Sequence, residues 1–155
     1  MSIGDTLRHL TANIFLEGPG KKKSYAQWSA DLETSGQAID QRAAGSKDPI
    51  AAQKLLRHIS GIERWGQSRL SVLLGAPFVR DEYNGYQPEK TLSLDEQRTF
   101  FRTTRVDTVV LARALEAAKI PDSATVVHND FGPLTARGWL RYLEMHARLE
   151  MKKLR

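Results

Sequence analysis

The chain has 155 residues, no cysteine, and 23 basic against 18 acidic side chains, a formal charge of +5. That length suits a single domain over 1–155 that can bury a core without staples, and the lack of cysteine excludes disulfides, thiolate zinc sites and a cysteine nucleophile. No apolar run has the length of a membrane span and no signal peptide is visible, so a cytoplasmic protein with no membrane partner is expected.

Residues 2–15 read as a short helix, with Ile3, Leu7, Leu10 and Ile14 at helical spacing and Ser2 or Asp5 as its cap. Gly18-Pro19-Gly20 is expected to break the chain. Ser24 to Ala44 is a helix with a thin apolar face of Tyr25, Trp28, Leu32, Ile39 and Ala43. Asp48-Pro49 is a stop and restart, because Asp caps well and Pro tolerates the first helical position. Residues 49–74 follow as a helix with Ile50, Leu55, Ile59, Ile62, Leu70 and Leu73 as apolar positions. His58 shares a face with Leu55, Ile62 and Trp65, so it points inward or lines a cavity.

Phe78 to Pro88 is too long and too aromatic for a tight turn; such connections are ordered against the domain and often cover a site. Ser93 and Glu96 form a capping box, and the helix they open runs to about Lys119 with Phe101, Thr104, Thr108, Leu111 and Leu115 on one face. Thr125 to His128 is a short extended piece, too short to imply a sheet, and Asn129 to Pro133 is turn chemistry before a last helix. Four substantial helices, an N-terminal extra and no convincing strand make an all-α, antiparallel four-helix bundle the expected fold.

The last helix carries the chemistry. Trp139, Leu143, His146 and Glu150 (or Leu149) recur at helical spacing. His146 and Glu150 are four residues apart, so they point the same way and can close on one divalent ion. A third ligand would come from elsewhere. Each residue has an ordinary alternative: a core histidine, or a surface Glu150 paired with Lys153 three residues on. His128 reads better as a loop histidine bonded to nearby backbone than as a general base, and Tyr142 as packing on Trp139. Glu63, off the face of His58, is not an obvious ligand.

Two stretches carry a family resemblance. The segment Ala51-Ala-Gln-Lys-Leu-Leu-Arg-His58-Ile-Ser-Gly-Ile-Glu63-Arg-Trp65 and the segment from Val127 through Gly138-Trp-Leu-Arg-Tyr-Leu-Glu-Met-His146-Ala-Arg-Leu-Glu150 resemble helices two and four of the DinB-like superfamily, also called YfiT-like metal-dependent enzymes. The resemblance implies a nickel or zinc ion held by one His on helix two and an H-x-x-x-H pair on helix four. His58 matches the first. The pair departs from the pattern: either His146 with Glu150, or Tyr142 with His146. The first register is preferred, because a carboxylate is ionised at neutral pH whereas a phenol, with a pKa of about 10, needs strong activation. The implied metal set is His58, His146 and Glu150.

The resemblance further implies thiol S-transfer, with a low-molecular-weight thiol as cosubstrate, or hydrolysis, on a small-molecule substrate in a pocket shaped by the 78–92 loop with Tyr83 and Tyr86, and a homodimer. A non-catalytic bundle that binds a small molecule or partner at a degenerate site is the main alternative. The third is an anion or nucleic-acid binder acting through Lys21-Lys22-Lys23 and the basic C-terminus; nucleic acid is disfavoured, because no aromatic-interleaved basic stripe is present.

Overall fold

The computed structural model describes residues 3–154. Five helices account for most of them. Helix α1 runs from Ile3–Ala12 through a π-helical turn, Asn13–Glu17, into Gly18–Lys21. Then come α2 (Tyr25–Ala44), α3 (Pro49–Val72), α4 (Leu94–Ala117) and α5 (Ala136–Met151). A small hairpin of β1 (Thr125–His128) and β2 (Gly132–Thr135) precedes α5.

The helix starts follow local chemistry. Ser24 and Gln27 form a reciprocal capping box on α2, and Ser93 and Glu96 do the same on α4. Asp48 accepts from Ala51 N–H at the head of α3, with Pro49 at the first position. Thr135 accepts from Gly138 N–H at the head of α5.

The Gly-Pro-Gly segment does not break the chain as expected. The π-turn re-phases the hydrogen bonds, and Gly18 N–H reaches Asn13 O five residues back. Pro19 then falls at the start of a new helical segment, where its missing N–H costs nothing. The expected cap Ser2 lies outside the described residues, as do the side chains of Ile3, Asp5 and Leu7. Leu10 and Ile14 are exposed; Ala12 and Leu16 face the core instead. On α3 the buried stripe is Ala52, Leu56, Ile59, Glu63, Gly66 and Leu70, leaving Ile50 in solvent.

The hairpin corrects the expectation of no strands. Val126 pairs with Leu134 and His128 with Gly132. Val126, His128 and Leu134 are buried, so the four-residue strands are held by the core rather than by their own ladder. Gly132 supplies a φ of 75° at the turn, a value other residues rarely adopt.

Named contacts give the helix directions. Arg98 bonds Asp40 at 2.9 Å and Arg113 bonds Glu33 at 3.0 Å, so α2 and α4 are antiparallel. His58 meets His146 and Trp65 meets Trp139, so α3 and α5 are antiparallel. Other neighbours are parallel, against expectation. Arg64 stacks on Phe100 and Gln67 bonds Thr108, aligning α3 with α4. Arg137 donates to Lys23 O and Arg42 to Leu154 O, aligning α2 with α5.

The 73–93 connection makes the parallel pair possible by running back along α3. Arg69 donates to Val79 O, Arg64 to Tyr86 O, Arg57 to Pro88 O and Gln53 to Leu92 O. Four side chains of one helix therefore satisfy the carbonyls of a segment that has only a short 3-10 turn, Tyr83–Tyr86, of its own. No helix among the described residues is long and apolar enough to cross a membrane.

Candidate metal centre

Helix α3 carries His58, and α5 carries His146 and Glu150 one turn apart. The two helices approach closely because α3 has Gly66 at the crossing. A Cβ there would lie 2.6 Å from Leu143 Cδ2 on α5. This approach brings the Nε2 atoms of His58 and His146 to 3.3 Å. One ligand atom each from His58, His146 and Glu150 lies within 4.8 Å of the others, so the group could hold a metal ion.

The donor set fits such an ion. Two nitrogens bound tetrahedrally to one zinc at 2.0–2.1 Å are separated by roughly 3.3–3.4 Å, the spacing found here. As a hydrogen bond between two neutral imidazoles the same contact is long. Burial lowers the pKa of both rings. His146 falls to about 4, through desolvation first and the neighbouring His58 second, with Glu150 opposing. His58 also falls, mainly by desolvation, again against the pull of Glu150. Both rings are neutral at pH 7 and offer lone pairs. Burial by itself raises the Glu150 carboxyl, but the Lys153 hydrogen bond and the electrostatic pull of His146 (as it protonates in acid) and of Lys153 outweigh it, and the net shift is downward.

Two features work against a tight site. Lys153 Nζ donates to both Glu150 oxygens at 2.7 Å, which is the surface pairing that the i,i+3 spacing allows. His146 Nδ1 is buried with no hydrogen-bond partner among the described residues. A metal-bound His normally donates that second N–H to an acceptor, and losing the bond costs about 10–100-fold in affinity.

Aromatic rings enclose the pair. Tyr83, from the 3-10 turn, stands edge-on to His58 with ring centroids 5.2 Å apart. Tyr142, one turn before His146 on α5, lies 5.8 Å from its ring. Burial holds the Tyr142 hydroxyl proton well above the ordinary phenol range, with the Asp130, Tyr83 and Glu150 charges adding to it. So firmly protonated a phenol makes a poor ligand, and its ring packs instead on His128 at 4.6 Å and Trp139 at 5.8 Å.

His128 sits on β1 rather than in a loop, and it is 2% exposed. Its Nδ1 accepts from the backbone N–H of Asp130 at 3.1 Å and of Phe131 at 3.4 Å, as the backbone-bonded reading expects. The proton therefore resides on Nε2, which is buried without an acceptor among Trp65, Trp139 and Tyr142. Desolvation, helped by Arg69 and His146, lowers its pKa to about 3.

Two buried polar groups support this region: Glu63, which sequence reasoning set aside as a ligand without showing its burial, and Arg69, which it passed over. Glu63 is 1% exposed and paired with Arg105, whose Nη2 donates to Oε2 at 2.9 Å, while Thr108 Oγ1 donates to Oε1 at 2.7 Å. Its signal was a charged residue four positions after Ile59 and three before Gly66, within an apolar stripe. Arg69, 1% exposed, pairs with Asp81 at 3.0 Å and stacks on Trp65, anchoring the covering connection. Asn129 ties the hairpin to the same connection through Asp81 O at 3.0 Å. No protein-family model, curated protein or solved structure matches this chain.

Proposed function

We propose that this chain is a divalent-metal-dependent enzyme of the DinB-like type, built on a four-helix bundle of α2 to α5. His58, His146 and Glu150 hold a zinc or nickel ion. The observation that carries the reading is the 3.3 Å spacing of the two Nε2 atoms, with an ionised carboxylate one turn beyond His146. A metal bound by these donors lowers the pKa of a thiol or water, which suits S-transfer with a small thiol, or hydrolysis. Burial keeps His58 and His146 unprotonated at neutral pH. The Tyr83 ring packs on His58 and the Tyr142 ring on His146, and the Arg57, Arg64 and Arg69 bonds hold the connection that carries Tyr83 in place.

A second reading, a non-catalytic bundle with a degenerate site, is favoured by the Lys153 ammonium seated on Glu150 and by the partnerless His146 Nδ1. Elemental analysis of untagged protein separates the two. Near-stoichiometric zinc or nickel that is lost in His58→Ala and His146→Ala supports the enzyme reading and justifies a thiol-transfer screen. Wild-type protein that holds no metal, with a melting temperature unmoved by added zinc or nickel, establishes the second.

A further inference from the structure

A cleft of about 700 Å³ opens between the parallel helices α2 and α5. At 3.6 residues per turn, its α5 residues Arg141, Glu144, Arg148 and Met151 lie about half a turn round the helix from His146, so it is a separate site. It opens because the facing stripe of α2 is made of small side chains, Thr34, Ser35 and Ala38. The floor is apolar, with Ile39 and Met151 both buried.

The rim is strongly basic. Five cations, Lys23, Arg42, Arg141, Arg148 and Lys152, face two carboxylates, Asp31 and Glu144, so the lining carries 5 − 2 = +3. The pairing within it is uneven. Lys23 is matched by Asp31. Glu144, 7% exposed, is shared by Arg148 at 3.2 Å and Arg141 at 3.5 Å, which fixes both guanidiniums but neutralises only one. Arg42 donates only to a backbone carbonyl, Leu154 O at 2.5 Å, and has no carboxylate partner among the described residues; nor has Lys152. A concave apolar floor under an uncompensated basic rim selects a ligand with both characters.

We propose that this cleft binds a small amphiphilic anion. A phosphate or carboxylate head sits against Arg42, Arg148 and Lys152, and an aliphatic or aromatic portion lies along Ala38, Ile39 and Met151. Guanidiniums recognise either head through paired N–H bonds, so the head group is left to the test. The inference does not depend on the metal reading.

The experiment is calorimetric titration of the full chain, with EDTA present, using hexyl phosphate, hexanoate, inorganic phosphate and hexanol. Saturable one-to-one binding of hexyl phosphate or hexanoate, at least tenfold tighter than inorganic phosphate and hexanol, is expected; the tighter of the two identifies the head. Arg42→Gln and Arg148→Gln should each weaken it about tenfold. Ala38→Trp, an exposed position that tolerates a large side chain, should fill the cleft and abolish binding without lowering the melting temperature. No saturable binding of either amphiphile, equal binding of hexanol, or binding unchanged in Ala38→Trp overturns the proposal. So does tight binding of a single-stranded oligonucleotide with none of the amphiphiles.

Discussion

Lys153 holds both oxygens of Glu150 at 2.7 Å while that carboxylate also faces the His58–His146 pair. One carboxylate therefore has two claimants, an ammonium and a metal ion. The ammonium is well exposed, so its hold is weak, about 1 kcal/mol or less. Lys153→Met removes the competitor and a like charge near the ion. Zinc affinity, measured against a chromophoric chelator, should tighten roughly three- to tenfold. Unchanged affinity would remove Glu150 from the ligand set.

His128 makes stability fall on the acid side of neutrality. Its folded pKa is about 3 against an unfolded value near 6.5, so between these values the unfolded chain binds a proton that the folded chain does not. The stability it contributes is full above pH 6.5 and is lost as the pH falls towards 3. His146, lowered to about 4, acts in the same direction. Urea denaturation with EDTA present should show stability dropping steeply from pH 6.5 to 5, above the range where carboxylates titrate. In His128→Asn, whose side-chain oxygen can still accept the Asp130 N–H, that slope should shrink by about 1 kcal/mol per pH unit.

What the sequence made legible was chemistry that closes within one helical turn. The Ser93–Glu96 box, the Asp48–Pro49 start and the Glu150–Lys153 pair each lie within four residues, and each is present. The inward placement of His58 and His146 followed from periodicity. What escaped was decided by distant partners. Thr125 to His128 becomes a strand because Val126 O accepts from Trp139 and its side chains enter the core. The parallel α3–α4 pair depends on carbonyl bonds from Arg57, Arg64 and Arg69 that no local pattern encodes. The partnerless His146 Nδ1 is likewise a property of the assembled core.

The Glu63–Arg105 pair is the most deeply buried ion pair described, with side chains 2% and 5% exposed. Arg105 also donates to Leu32 O and Ser35 Oγ, so it links α2, α3 and α4. Arg105→Met should cost about 3–5 kcal/mol in urea denaturation, because it strands the Glu63 charge. Adding Glu63→Leu should recover much of that loss, since two apolar residues pack where two ions had to be desolvated. A double variant no more stable than Arg105→Met would show that the links to α2, rather than the stranded charge, dominate.

Gly66 sets the separation of the two helices that carry the metal ligands. An alanine Cβ there meets Leu143 at 2.6, 2.9 and 3.1 Å, so the whole end of that side chain, not one flexible tip, must give way. Alanine returns up to about 1 kcal/mol of helix propensity, but overpacking costs about 1–3 kcal/mol. Gly66→Ala should therefore be destabilised overall. It should also bind zinc more weakly, because pushing α5 outward separates His146 from His58 at a spacing matched to one ion. Gly45→Ala, whose Cβ would meet nothing closer than 3.6 Å, is the control and should leave affinity unchanged. Zinc titration and urea denaturation of both variants check this. Wild-type affinity in a destabilised Gly66→Ala would mean that the histidine pair adjusts independently of the helix crossing.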